Sequence, residues 1–330
     1  MGDLFLVTGA TGFVGSHLVE MLRARGERVR ILARDAGKVP EEWREGVEIV
    51  EGDVTDPPSL APAVKDVDIV LHVAGVINLP PGEGERFYRV NTEGTKHLFH
   101  AARTSGRPLK RFLYCSSVGV MGKLKRIPAD EETPCAPTNA YEASKLAAER
   151  WVLAEGKRRG VPVSVTRPAW VYGPGDRRTF PIFFLIARKR FIMVGKGDTW
   201  IHPVFVRDLV KGILQCARSE KAIGRKMILA GQQPVRLKDL VALISHQCDV
   251  RLLPVKLPVS VATVIALGLE ILYKPLHKQP LLHRRRLGFF LRDQGFDISL
   301  ARRCCGYVPG TSLEEGIRET VTWYKRNGWI

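Results

Sequence analysis

Tyr141 and Lys145 stand four residues apart in Tyr141-Glu142-Ala143-Ser144-Lys145. Positions i and i+4 of a helix share a face, so this spacing sets a phenol beside an ammonium. A phenol can give or take a proton at a reacting oxygen. Its ordinary pKa near ~10 is too high for proton abstraction at neutral pH, and a neighbouring cation lowers it. Upstream, Thr8-Gly9-Ala10-Thr11-Gly12-Phe13-Val14-Gly15 has the pattern T-G-x-x-G-x-x-G. Gly9 permits a tight turn, Gly12 lets backbone approach a pyrophosphate, and Gly15 allows close packing of helix on strand. Amides at the start of the following helix offer donors and positive potential to phosphates. A glycine turn without ligand and a surface Tyr/Lys pair are the bland readings of each motif alone. Together, in this order, they point to nicotinamide chemistry: hydride transfer at carbon and proton transfer at oxygen.

Both motifs need particular elements around them. Leu4–Val7 is a short apolar run, as in a buried parallel strand, and an amphipathic helix follows over 13–25. Val29–Ala33, Val47–Val50, Ile69–Val73, Phe112–Cys115 and Val163–Thr166 are further strand candidates, with helices near 59–65, 85–104 and 139–158. Asn139, with Glu142 three residues later, is a capping pattern that would start the last helix and aim Tyr141. The rhythm predicts an α/β fold, a doubly wound parallel sheet of the Rossmann type over 1–170. Beyond Pro168, prolines at 174, 181, 203, 234, 254, 258, 275 and 280 punctuate short helical pieces. Residues 171–203 and 231–330 are therefore expected to form a smaller, mostly helical substrate lobe. Val204–Ala217 again looks like strand edge plus helix, so 204–230 is expected to return to the sheet.

The end of the second strand bears on the cofactor. An acid there would bond a ribose 2′-hydroxyl, whereas Arg accommodates a 2′-phosphate. The strand ends Ala33-Arg34, with Lys38 shortly after and Asp35 one residue late but able to turn inward. This favours NADP(H) over NAD(H). Asp53 and Val54, after the third strand, are placed to meet an adenine. Asp53 can equally cap the turn Gly52-Asp53-Val54-Thr55-Asp56.

With these residues the chain resembles the extended short-chain dehydrogenase/reductase family, within the NAD-dependent epimerase/dehydratase superfamily, along nearly its whole length. The resemblance includes His72-Val73-Ala74-Gly75, Asn91-Thr92-Glu93-Gly94-Thr95, Ser116-Ser117 and Arg167-Pro168-Ala169-Trp170-Val171-Tyr172-Gly173-Pro174-Gly175. It continues through Phe296-Asp297-Ile298-Ser299, Gly306-Tyr307-Val308-Pro309 and Ser312-Leu313-Glu314-Glu315-Gly316-Ile317. It implies Tyr141 as acid/base and Lys145 as a partner of both the phenol and the nicotinamide ribose. Ser117, rather than Ser116, would polarise the substrate oxygen, because Val118-Gly119-Val120-Met121-Gly122 follows it. Asn91 would order the Lys145 side through backbone or water contacts, or serve only as a helix cap. Cofactor contact is implied for Gly9, Thr11, Gly12, Phe13, Val14, Gly15, Asp53, Val54, Val73, Ala74, Gly75 and Pro168. A homodimer through the helices near 85–104 and 139–158 is likewise implied.

Nucleotide-sugar epimerases and dehydratases of this family carry an Arg-Asp-Phe before the Val-x-Asp strand. Here Ile201-His202-Pro203 stands there, followed by Val204-Phe205-Val206-Arg207-Asp208. His-x-Val-x-Val-x-Asp resembles the 3β-hydroxysteroid dehydrogenase and dihydroflavonol reductase branch, although Arg207 breaks an acidic pair common before the Asp. The expected function is an NAD(P)-dependent interconversion of secondary alcohol and ketone on a hydrophobic, hydroxysteroid-, sterol- or dihydroflavonol-like substrate. A nucleotide-sugar epimerase or dehydratase with tightly bound NAD is the alternative. A non-catalytic NADP-sensing protein is a third reading, disfavoured because such proteins usually lose the Tyr/Lys pair.

The net charge is +17. Residues 1–150 hold 20 Lys and Arg against 21 Asp and Glu, while 151–330 hold 31 against 13, so the excess lies in the second half. Without an aromatic-glycine RNA signature, zinc-ligand spacing or helix-turn-helix pattern, neither nucleic acid nor metal is expected. The six scattered cysteines contain no C-x-x-C and suggest reduced thiols in a cytoplasmic setting, and Met1-Gly2-Asp3 running straight into a strand does not look like a signal peptide. Leu257–Tyr273 is mostly apolar, broken by Ser260, Thr263 and Glu270, and marginal for a membrane span. Lys274, His277, Lys278 and His283-Arg284-Arg285-Arg286 follow it, before Leu287-Gly288-Phe289-Phe290-Leu291-Arg292. Apolar helices edged by cations suit peripheral docking on an anionic membrane through 257–292. The competing reading is the lid and wall of a small-molecule pocket.

Overall fold

Strands β1 (Leu4–Thr8), β2 (Arg28–Ala33), β3 (Val47–Glu51), β4 (Ile69–His72), β5 (Arg111–Cys115) and β6 (Val163–Pro168) form one sheet with Lys226–Leu229. The order is β3-β2-β1-β4-β5-β6, with Lys226–Leu229 outside β6, and every pairing is parallel. The computed structural model describes residues 2–80, 82–253, 255–273 and 284–330, with backbone alone at 284–286.

Alternation along each strand divides the core. Phe5 and Val7 of β1 face a cluster that takes Leu18, Val19 and Leu22 from α1 (Phe13–Ala24) and Leu209, Val210 and Ile213 from the helix Val206–Arg218. Leu4 and Leu6 face the opposite layer. Helix α2 (Ala61–Val64) contributes Ala63 and Val64 there. After α3 (Gly84–Phe87), α4 (Gly94–Arg103) adds Leu98, Phe99 and Ala102, and α5 (Ala140–Arg159) adds Ala148 and Val152. Both faces are thus covered, which is what strands apolar on both sides require.

The helix expected over 85–104 is interrupted. Tyr88–Glu93 forms a π-helical turn between α3 and α4. Residues 204–230 supply the helix Val206–Arg218 and the outer strand, which pairs with β6 from Lys226↔Val165 to Leu229↔Pro168. Phe296, Ile298, Ala301 and Tyr307 also enter the α1-side core, although they lie far along the chain. A third cluster packs Phe183, Ile186, Leu237, Leu240, Ile244 and Tyr324 beside the sheet.

Long-range polar contacts tie this C-terminal region down. Asp208 accepts from the backbone N–H groups of Gly310 (3.1 Å) and Thr311 (2.9 Å). The His202 ring accepts the Phe296 N–H at Nδ1 (3.1 Å), so Nε2 carries the proton to the Gly231 carbonyl (3.1 Å). Arg207 pairs with Glu319. The polar members of His-x-Val-x-Val-x-Asp therefore act as fasteners between chain segments.

Candidate active site

Strand order reverses between β1 and β4, where crossovers leave for opposite faces of the parallel sheet and the carboxyl ends of the strands part. A cleft of about 440 Å³ opens at this point. Gly9, with φ +71°, makes the turn out of β1 and packs against the backbone of Ala74. A Cβ on Gly15 would strike the Gly9 carbonyl, so Gly15 packs on the turn itself rather than on the strand. Gly12 is the N-cap of α1, which has no side-chain cap and no acid in its first turn. Uncapped amides facing a cleft without a competing carboxylate suit a pyrophosphate. Thr11, Phe13, Val14, Val73, Ala74, Gly75 and Pro168 border the same cleft. This part of the molecule fits a dinucleotide.

Tyr141, Lys145 and Ser117 border the cleft as well. Asn139 starts α5 by accepting the Glu142 N–H (3.0 Å), which orients the first turn and with it Tyr141. The Glu142 carboxylate turns back to the Thr138 N–H (2.7 Å) and hydroxyl (2.8 Å). The Tyr141 ring rests edge-on against Phe87, with centroids 6.0 Å apart. Lys145 is buried, and its Nζ lies 4.3 Å from the centre of the Tyr114 ring. Loss of hydration pulls its pKa down to about 8, against a smaller upward pull from Cys115 and Glu149. The Ser117 hydroxyl accepts the Gly119 N–H (3.1 Å), leaving its own proton to donate. Ser116 also borders the cleft. Its buried hydroxyl has no partner among the described residues.

Asn91 sits in the π turn and bridges rather than caps. Its Oδ1 accepts from Val76 N–H (2.8 Å), and its Nδ2 donates to the Val76 carbonyl (3.1 Å) and Ser144 Oγ (3.0 Å). It thereby holds the loop after β4 against α5, one residue from Lys145. A proton chain runs underneath. Ala74 N–H donates to Thr8 Oγ1 (3.3 Å), and Thr8 donates to His72 Nδ1 (2.7 Å). His72 Nε2–H meets Thr95 Oγ1 (2.9 Å), which donates to the Asn91 carbonyl (2.7 Å). This polarity requires a neutral imidazole, and burial, helped by the Lys145 charge, depresses the His72 pKa to about 3. His202, also buried, is depressed to about 4.

Both rings lie below their ordinary 6.5, so the unfolded chain takes up two protons that the native state refuses. Stability is full above that value and falls as pH drops toward the folded values. The expected loss on acidifying from full stability to about pH 5.5 is about 3 kcal/mol. Urea unfolding across this range checks it, and His202→Asn should roughly halve the slope.

At the far end of the cleft the two basic candidates part. Arg34 is exposed and borders the cleft. Lys38 does not: it is 79% exposed and pairs with Asp35 at 2.9 Å. Asp35 also accepts the Gly37 N–H (2.9 Å), and these contacts, Lys38 first, hold its carboxyl below the ordinary range. Asp35 therefore does not turn inward. Asp53 accepts from the Thr55 N–H and hydroxyl, both 2.8 Å, so its carboxylate caps the turn while the residue lines the cleft with Val54.

Three features were not read from the sequence. Arg178 borders the cleft and donates to the Val171 carbonyl (3.0 Å). The neutral relay through His72 depends on partners in distant segments. Glu149, one further turn along the face of Tyr141 and Lys145, holds Arg167 in a buried pair at 2.5 and 3.0 Å. The i, i+4, i+8 spacing was the available signal for Glu149.

A doubly wound sheet with a glycine cradle at its switch point, and a Tyr/Lys helix beside it, defines an enzyme of the extended short-chain dehydrogenase/reductase type. The chain belongs to the NAD dependent epimerase/dehydratase family, whose model matches residues 5–230. It is 28% identical to a 3 beta-hydroxysteroid dehydrogenase/Delta 5-->4-isomerase of Mycobacterium tuberculosis, covering 97% of this chain and 90% of that one. It is 29% identical to sterol demethylase protein B of Methylococcus capsulatus, over 98% and 99% of the two chains. Among solved structures, gox2253 superposes with a TM-score of 0.82 at 31% identity, over 99% of each chain.

Proposed function

We propose that the protein interconverts a secondary alcohol and a ketone on a hydrophobic substrate of hydroxysteroid, sterol or dihydroflavonol type, with NADP(H) preferred over NAD(H). The observation that carries this is the meeting of Tyr141, Lys145 and Ser117 in the cleft that also holds the Gly9–Gly15 cradle. A bound nicotinamide would supply or accept the hydride. In the oxidative direction Tyr141 Oη takes the hydroxyl proton as the carbon loses hydride; in reduction it returns that proton to the new alkoxide. The cation of Lys145, short of water, favours negative charge on the phenol oxygen. Ser117 donates to the substrate oxygen and holds it in reach of Tyr141.

The residue standing where sugar-nucleotide enzymes carry Arg is Ile201, a buried apolar side chain beside His202, whose ring nitrogens are both held by backbone. Neither offers a cation to a diphosphate, which supports an apolar substrate over a nucleotide sugar. NADP(H) preference is supported by Arg34 at the cleft and by the outward-held Asp35. Arg34→Asp should move the NADP/NAD preference toward NAD by about ten-fold or more. An unchanged ratio would remove Arg34 from the argument.

The deciding assay follows nicotinamide absorbance with hydroxysteroids, dihydroflavonols and UDP- and dTDP-sugars. Net reduction of the cofactor by an apolar alcohol is the expected result. Conversion of a sugar nucleotide without net change in the cofactor would overturn the proposal.

A further inference from the structure

Helix Val259–Tyr273 buries only Ala262 and Ala266, and turns its bulk outward. Val264 is 70% exposed, Ile271 66% and Leu272 66%; Val261 and Ile265 share their side of the helix. The i, i+3, i+4 recurrence makes this one apolar stripe. Just upstream, Leu253 (71% exposed) and Val255 extend it, and the strand Lys256–Leu257 leads directly into the helix. The stripe is too large to be the scatter of single apolar residues normal on a surface.

Beside it lies a groove bordered by Leu253, Val255 and four cations: Lys196, Lys238, Arg251 and Lys256. Among the described residues no carboxylate lines this groove, although Lys238 pairs with Asp198 at 2.8 Å. Gly195, next to Lys196, lies against Val259 at the start of the helix. Cations therefore flank the apolar stripe at its N-terminal end. The basic run Lys274, His277, Lys278 and His283 falls outside the described residues, as do the side chains of Arg284–Arg286.

We infer that this face is a docking surface for an anionic lipid bilayer, with the Val259–Tyr273 helix lying in the interface plane. Its 15 described residues, about 22 Å long, are fewer than the ~20 a span needs. Among the described residues no helix is long and apolar enough to cross a membrane. An interfacial helix with apolar residues down and cations at the lipid phosphates has the observed arrangement. A second copy of the chain fits less well. A two-fold interface sets each patch against itself, bringing Lys196, Arg251 and Lys256 toward their own copies in a chain of net charge +17. The helix packs through Ala262 and Ala266 against Leu287 and Phe290, and Phe289 beside them lies 5.7 Å from Trp170. Docking here does not depend on the substrate assigned above.

The test is flotation of the full chain with vesicles of phosphatidylcholine alone or with phosphatidylglycerol added, at low and high salt. The expected result is binding to the anionic vesicles that weakens with salt. Val264→Asp with Ile271→Asp should abolish it, and Lys196→Glu with Lys256→Glu should lower the partition coefficient about thirty-fold. All four sites are exposed, so the variants should keep the wild-type melting temperature and cofactor binding. Failure of the wild type to float on anionic vesicles at low salt overturns the inference. So does unchanged flotation of the double Asp variant, or a wild-type dimer that this variant turns into monomer with no lipid binding in either.

Discussion

Tyr141→Phe lowers turnover by about 10³-fold or more and leaves the cofactor dissociation constant within about two-fold. The substitution removes one oxygen and keeps the ring, so the edge contact with Phe87 at 6.0 Å survives and the first turn of α5 keeps its Asn139 cap. The groups proposed to bind the dinucleotide phosphates lie elsewhere, at the uncapped start of α1 and in the loop after β4. What disappears is the only group proposed to exchange a proton with the substrate oxygen. Ser117 cannot substitute, because a serine hydroxyl has no tendency to ionise near neutral pH. Steady-state rates together with nucleotide titration monitored by fluorescence separate the two effects. Retained turnover would end the acid/base assignment. Loss of nucleotide binding along with turnover would instead show that the phenol holds the cleft in shape.

Glu149→Ala destabilises the fold by about 3–5 kcal/mol. Glu149 and Arg167 are 2% and 1% exposed, and the carboxylate takes Arg167 Nε at 3.0 Å and Nη2 at 2.5 Å. Removing it strands a guanidinium whose Nη1 already lacks a partner among the described residues. The remaining contact, Arg167 Nη2 to the Cys135 sulfur at 3.3 Å, is too weak to compensate. The pair fastens α5 to β6 one turn beyond Lys145, so the loss should also loosen the helix that carries Tyr141. Glu149→Gln, which still accepts a hydrogen bond, should lose less. Glu149→Leu with Arg167→Met should recover most of the loss, because a buried pair replaced whole by apolar side chains leaves no orphaned charge. Equilibrium unfolding in urea measures all three. A loss under about 1 kcal/mol for Glu149→Ala would mean that water reaches the guanidinium.

Much of the architecture was legible because its signals are local. Each central strand is a short apolar run, and the spacing of Gly9, Gly12 and Gly15 is set by one turn and the first turn of one helix. Asn139 and Glu142 mark the start of α5 within four residues, and Tyr141 and Lys145 share its face by periodicity alone. The helix over 85–104 was read as continuous because its apolar spacing does not reveal a π turn. That turn places Asn91 to reach Val76 and Ser144, the latter 53 positions away.

By itself, then, the sequence determined the doubly wound class, the glycine cradle and the phenol–ammonium pair. These depend on backbone periodicity and on steric limits felt within a few residues. Only the tertiary structure decided which charged groups reach the cleft. Arg34 borders it while Lys38, four residues on, folds out to meet Asp35. It also decided that His202 serves the backbone of Gly231 and Phe296, that His72 is held neutral, and that Glu149 meets Arg167. Residue type allows each of these side chains several partners. Burial removes water as the competitor, and the partner that remains is whichever distant segment the packed sheet brings within about 3 Å.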